Sequence, residues 1–95
     1  MSRFTIAGRV ARGVALLDER GPQGWRDKID LDRLDIIYNC VLDQVFGDFT
    51  GGMEALGLRL FDNQSTGYGF NCGGDEKGAV EAEWRRVLVR EGVPA

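Results

Sequence analysis

From Gly24 to Leu58 the chain interleaves apolar residues with carboxylates at helical spacing and punctuates them with glycine. Within it, Leu31, Leu34, Tyr38, Val41 and Val45 recur at intervals of three, four, three and four. That is the repeat of one helix face, and no other stretch carries it so regularly. The spacing predicts a helix from about Leu34 to Phe46, entered through an irregular acidic approach. Gly47 is placed to stop it, because a residue without a Cβ takes the left-handed cap conformation at little cost. Such a segment has one apolar face to bury and constrains the chain to a small packed domain.

Two further stripes supply the surfaces it needs. From Thr5 to about Arg20, Ile6, Val10, Val14 and Leu17 follow each other by four, four and three. Ser2 or Thr5 can cap this helix, and Gly21-Pro22 ends it, since proline disfavours helical dihedrals in the residue before it. Near the C-terminus Val80, Trp84, Val87 and Leu88 share a face. Asp75 is the expected cap there, with Glu76 favourably placed at the positive end of the helix dipole. Glu81 with Arg85 and Glu83 with Arg86 read as solvent-side pairs, and Gly92 and Pro94 close the element. Thr50 to Leu56 reads as a short helix, capped by Thr50 and stopped by Gly57.

The span 58–72 stays open. Leu58-Arg59-Leu60-Phe61 alternates weakly, and Gly67-Tyr68-Gly69-Phe70 could pair with it as a short β-hairpin. The other reading is a packed irregular loop, which the glycines favour. The expected fold is therefore mainly α: a small helical domain of three main helices and one short helix. Its core should contain Val10, Leu17, Leu34, Val41, Val45, Trp84 and Leu88, because three amphipathic stripes can bury only against one another.

A chain of 95 residues makes a single domain, 1–95. Apolar residues at 43% and charged residues at 28% exclude a disordered composition. The net charge of −3 argues against nucleic acid, whose binders carry a basic excess; Arg85, Arg86 and Arg90 are the residues that would have to carry that function. No apolar run approaches the roughly 20 residues that span a bilayer. Met1 to Arg9 lacks the apolar core of a signal peptide, so the expected location is the cytoplasm, away from membranes. There, Cys40 and Cys72 are expected to be free thiols.

The absence of histidine removes the Ser–His–Asp and Cys–His nucleophilic arrangements and every zinc site that uses imidazole. Asp30, Asp32 and Asp35 look like ligands for Mg²⁺ or Ca²⁺. An EF-hand frame started at Asp30 fails, with Leu34 at its fifth position, Asp35 at its glycine and Val41 at its terminal glutamate. The plainer reading is that these carboxylates cap and charge a helix start. Asp18-Glu19, and Asp43 with Asp48, are close pairs of the kind a solvated acidic surface produces by chance. Gly47 to Gly52 lacks the Gly-Lys-Ser/Thr ending of a phosphate loop, and Gly67-Tyr68-Gly69 has only two glycines of a dinucleotide fingerprint. Cys72 precedes a helix, but Asp75 and Glu76 oppose any lowering of its pKa. No cofactor and no enzymatic constellation is expected.

The aromatic residues remain as contact anchors. Trp84 lies on a helical stripe and belongs to the core. Trp25 follows a Gly-Pro-Gln-Gly turn and either folds back as a lid, the expected role, or stands out as an anchor. Tyr68 is expected to be exposed. Tyr68, Phe70 and Trp25 together form the candidate contact surface.

Several short pieces add a resemblance that runs over most of the chain: Leu16-Leu17-Asp18-Glu19, Gly24-Trp25, Ile29-Asp30-Leu31-Asp32 with Leu34-Asp35, and Cys40-Val41-Leu42 with Gln44 and Phe46-Gly47-Asp48. Ala55-Leu56-Gly57-Leu58, Gly69-Phe70 and Trp84-Arg85 follow in order. In this pattern the chain resembles a group of small proteins encoded by phages of actinobacteria, including mycobacteriophages. It departs from them at Asp43, where a glycine often precedes the glutamine, and in the middle loop. The resemblance implies phage or prophage origin and a bacterial host cytoplasm, and brings no catalytic residue with it. The leading expectation is a non-enzymatic accessory protein that binds a host or phage protein. The alternative is a small-ligand or divalent-metal-binding domain built on the 30–35 acidic segment.

Overall fold

Thr5 opens the first helix: its hydroxyl accepts the Gly8 N–H at 2.9 Å, satisfying a donor that a helix start leaves unpaired. The computed structural model describes residues 5–59 and 64–95. Helix α1 runs Ile6–Arg20 and ends as its stripe predicts, with Gly21 N–H donating to Leu17 O at 2.8 Å. The chain then passes through 3₁₀ turns at Trp25–Lys28 and Leu31–Arg33. Helices α2 (Val41–Phe46), α3 (Phe49–Ala55), α4 (Gln64–Gly67) and α5 (Lys77–Arg90) follow.

The two long helices α1 and α5 pack on each other, and α2 packs on α3. One apolar cluster joins both pairs, and all seven core residues named from the sequence are buried in it. Gly13 sets the closeness of α1 to its neighbours. A Cβ there would stand 2.2 Å from the carbonyl oxygen of Tyr68 and 3.1 Å from two ring carbons of Trp84. Across this contact the Trp84 indole N–H donates to Gly69 O at 2.6 Å, so its one polar atom is satisfied inside the core. Gly47 takes φ 93° and ends α2 as its position predicts.

Three expectations need correction, and one open alternative is resolved among the described residues. The helix foreseen over Leu34 to Phe46 begins only at Val41; 35–39 is a closed loop carrying an isolated antiparallel bridge between Asp35 and Asn39. The physical reason is local competition: short polar side chains offer the backbone partners that a helix would otherwise supply. Thr50 is not the cap of α3; Asp48 is, its carboxylate accepting Gly51 N–H. Asp75 lies inside a 3₁₀ turn, Gly74–Glu76, and does not cap α5. Glu76, immediately before α5, instead ties that helix start to α1 through a two-pronged pair with Arg9 at 2.9 and 3.0 Å. Finally, no strand forms among the described residues of 58–72. The segment before Gly69 winds into α4 and a turn, while Leu60 and Phe61 lie outside the described residues.

Candidate functional site

The residues that break the predicted helix build the most distinctive surface of the molecule. Asp30 caps the Leu31–Arg33 turn by accepting Asp32 N–H at 3.0 Å. The Gln44 amide on α2 accepts Asp30 N–H at 2.6 Å and donates to Asp30 O at 3.2 Å and Asn39 O at 3.3 Å. One side chain thus staples both ends of the 30–39 segment. Between them, Asp35 N–H donates to Asn39 O and Asn39 N–H to Asp35 O, at 3.2 and 2.7 Å. The Asp35 carboxylate accepts the N–H groups of Ile37 and Tyr38 at 3.0 and 3.1 Å. Asn39 Nδ2 donates to Arg33 O at 2.9 Å.

Helix α5 braces the loop from the side. Glu81 is buried, and its Oε2 accepts Ile36 N–H at 2.8 Å and the Lys77 ammonium at 2.8 Å. Lys77 Nζ also lies 3.6 Å from Asp35 Oδ1. One turn further, Arg85 donates to Leu31 O and Leu34 O at 3.3 Å. The foreseen Glu81–Arg85 surface pair is therefore replaced by two separate clamps on the loop, because Glu81 faces inward. Glu83 with Arg86 pairs as expected, at 2.6 Å.

Every backbone N–H from Leu34 to Cys40 has an acceptor, the last being the Asp43 carboxylate. Backbone bonds that are all closed hold a loop in one conformation. At its tip Tyr38 is 84% exposed and Ile37 45%, while Ile36 between them and the stem is buried. The helical spacing had put Tyr38 on the buried face. No sequence signal marked it as an exposed anchor, because its spacing matched the core stripe.

The residues named as contact candidates lie elsewhere and are largely covered. Trp25 is 3% exposed, as a lid; its Nε1 donates to Asp18 Oδ1 at 3.0 Å and the Arg26 guanidinium sits 4.4 Å above its ring. Phe70 is fully buried, stacked on Trp84 with ring centres 5.8 Å apart. Neither presents a side chain to a partner. Tyr68 is half-buried rather than exposed, stacked on Phe70 and covered by the Arg12 guanidinium at 4.6 Å.

Of the acidic trio, Asp30 and Asp35 are engaged with backbone amides. Two N–H donors, from Ile37 and Tyr38, hold the Asp35 carboxyl below its ordinary range, with Lys77 adding to the effect. Asp18 is lowered chiefly by Arg26 and also by Trp25. Among the described residues no cluster of three or more acidic or thiol side chains gathers as a metal site. Burial pushes the Cys40 thiol up to about 11, and burial followed by Glu76 raises that of Cys72, so neither is an activated nucleophile. No helix among the described residues is long and apolar enough to cross a membrane. Comparison with known protein families, curated proteins and solved structures found no match to this chain.

Proposed function

We propose that this is a phage- or prophage-encoded accessory protein that acts in the cytoplasm of its bacterial host by binding another protein, without catalysis of its own. The observation that carries the binding reading is the tip at Ile37 and Tyr38. A tyrosine 84% exposed beside an exposed isoleucine stands on a loop whose every amide is closed. Holding apolar side chains out to water has no folding benefit, because the hydrophobic effect favours their burial. A partner's pocket would supply that benefit, and a rigid loop loses little conformational freedom on docking. Support for the phage origin comes from the sequence resemblance.

The test is quantitative capture from host lysate with the tagged protein and its Tyr38→Ala variant, alongside thermal melts of both. Removing an exposed ring should change stability by no more than about 0.5 kcal/mol. A stoichiometric partner held by the parent and lost by the variant is the expected result. Equal capture by both proteins would rule out the tip as the binding element.

A further inference from the structure

The stretch from Leu31 to Ile36 runs alongside α5. Ile36 is tied to Glu81, and Leu34 and Leu31 to Arg85 one turn later. Beside this contact lies an open groove of about 660 Å³, lined by Leu31 and Asp32 on one side and by α5 from Ala82 to Arg90 on the other. Leu31, Ala82 and Val89 make its apolar floor, and Val89 is 44% exposed. Arg85, Arg86 and Arg90 stand at its rim.

The rim of the groove is rich in arginine. Arg85 donates only to carbonyl oxygens, so its positive charge meets no carboxylate there. Arg90 makes neither a hydrogen bond nor an ion pair among the described residues. Arg86 is bonded to Glu83, whose carboxylate also feels the charge of Arg90, and Ala95 completes the lining. Asp32 is the one acidic side chain in the lining. A protein of net charge −3 therefore gathers three guanidinium groups around an apolar slot, with Arg85 and Arg90 in no direct ion pair there.

We propose that this groove binds an acidic amphipathic helix of a partner protein. On α5 the floor spans Ala82 to Val89, about 10 Å or two helical turns at the usual rise, which suits two or three apolar side chains at i, i+3 and i+4 spacing. Carboxylates flanking them would meet Arg90, whose planar fork suits bidentate pairing, and the charge of Arg85, whose Nε and one terminal nitrogen already donate to Leu31 O and Leu34 O. Nucleic acid fits less well, because an apolar floor separates the cations and Glu83 occupies one of them. The inference stands apart from the Ile37–Tyr38 tip and survives its failure.

The probe is a labelled synthetic peptide of about 14 residues with leucines at helical i, i+3, i+4 and i+7 positions and glutamates between them. Fluorescence anisotropy should show saturable binding that weakens as salt rises, since exposed charges are screened. Val89→Asp and Arg90→Glu, both at exposed positions, should each weaken it at least tenfold with melting unchanged, and Tyr38→Ala should not. Amide shifts on titration should cluster at Leu31, Ala82, Arg85 and Val89. The proposal is overturned by undetectable binding, by equal binding of a peptide with lysines for glutamates, or by unaltered binding to both groove variants. Displacement of the peptide by a duplex oligonucleotide would point instead to nucleic acid. A concentration-dependent dimer abolished by Val89→Asp would assign the groove to a second copy of the chain.

Discussion

In the α1–α5 pair the backbone is closed by the helices themselves and the packing between them is apolar, centred on Trp84. Between Asp30 and Asn39 the backbone is closed by side chains: Asp35, Asn39, Gln44 and Glu81 each hold main-chain groups. The first arrangement gains stability by removing apolar surface from water. The second also buries Leu31, Leu34 and Ile36, and in addition it fixes the conformation of residues 34–40 by giving every amide there a partner. Both regions share the core, but the exposed tip is held in place by polar bonds from side chains, several of them on α5.

The hardest blow to this comparison would be a mild Trp84→Ala variant. That change removes a fully buried ring, its stack on Phe70 and its bond to Gly69 O. A loss of about 3–5 kcal/mol is expected by denaturant melts. A loss below about 1 kcal/mol would show that the apolar pair does not carry the fold. Next in size is Glu81→Ala, which leaves a buried Ile36 N–H without its acceptor. It should cost about 1–3 kcal/mol and speed amide exchange at Ile36 to Asn39 more than around Trp84. Uniform acceleration across both regions would erase the distinction.

The smallest expected effect is that of acid. The Asp35 carboxyl is lowered by the amides of Ile37 and Tyr38, and Asp18 by Arg26 and Trp25. A carboxylate with a depressed folded-state pKa contributes stability that is fully present above its unfolded value and lost as pH falls through the folded one. Protection of the 36–39 amides should therefore hold from neutrality down to roughly pH 5 and fall below roughly pH 4. Protection in the middle of α5 should persist further into acid. Simultaneous loss in both places would sink the idea that the tip is braced by its own carboxylate.

The same contrast explains what was legible in the chain. Periodicity identified α1 and α5 closely, because their residues obey one rule, the burial of a stripe. It also named the core correctly. Leu31, Leu34, Val41 and Val45 are all buried, although only Val41 and Val45 lie on an α-helix. Apolar residues at such intervals point inward from 3₁₀ turns and extended backbone as well, so spacing alone did not distinguish these cases. Tyr38 was the member that did not follow. Its exposure depends on Asp35 and Asn39 capturing the local backbone, and on Glu81 reaching Ile36 from 45 residues away. Pattern matching sees neither the local capture nor the distant partner. Trp25 is the lid its turn led one to expect, whereas the burial of Phe70 was decided by tertiary packing.

That distance between Ile36 and Glu81 carries a kinetic consequence. The tip cannot complete its bonding until α5 has been made and has docked, and closing so long a loop has an entropic cost before the contact returns any enthalpy. Docking α1 on α5 closes a longer loop still but offsets that cost with apolar burial; with that pair as the nucleus, the tip consolidates after the rate-limiting barrier. Sequence changes in the loop would then act on how fast the protein comes apart and leave its rate of folding almost untouched. A lineage could remodel the tip without losing the ability to reach the native state.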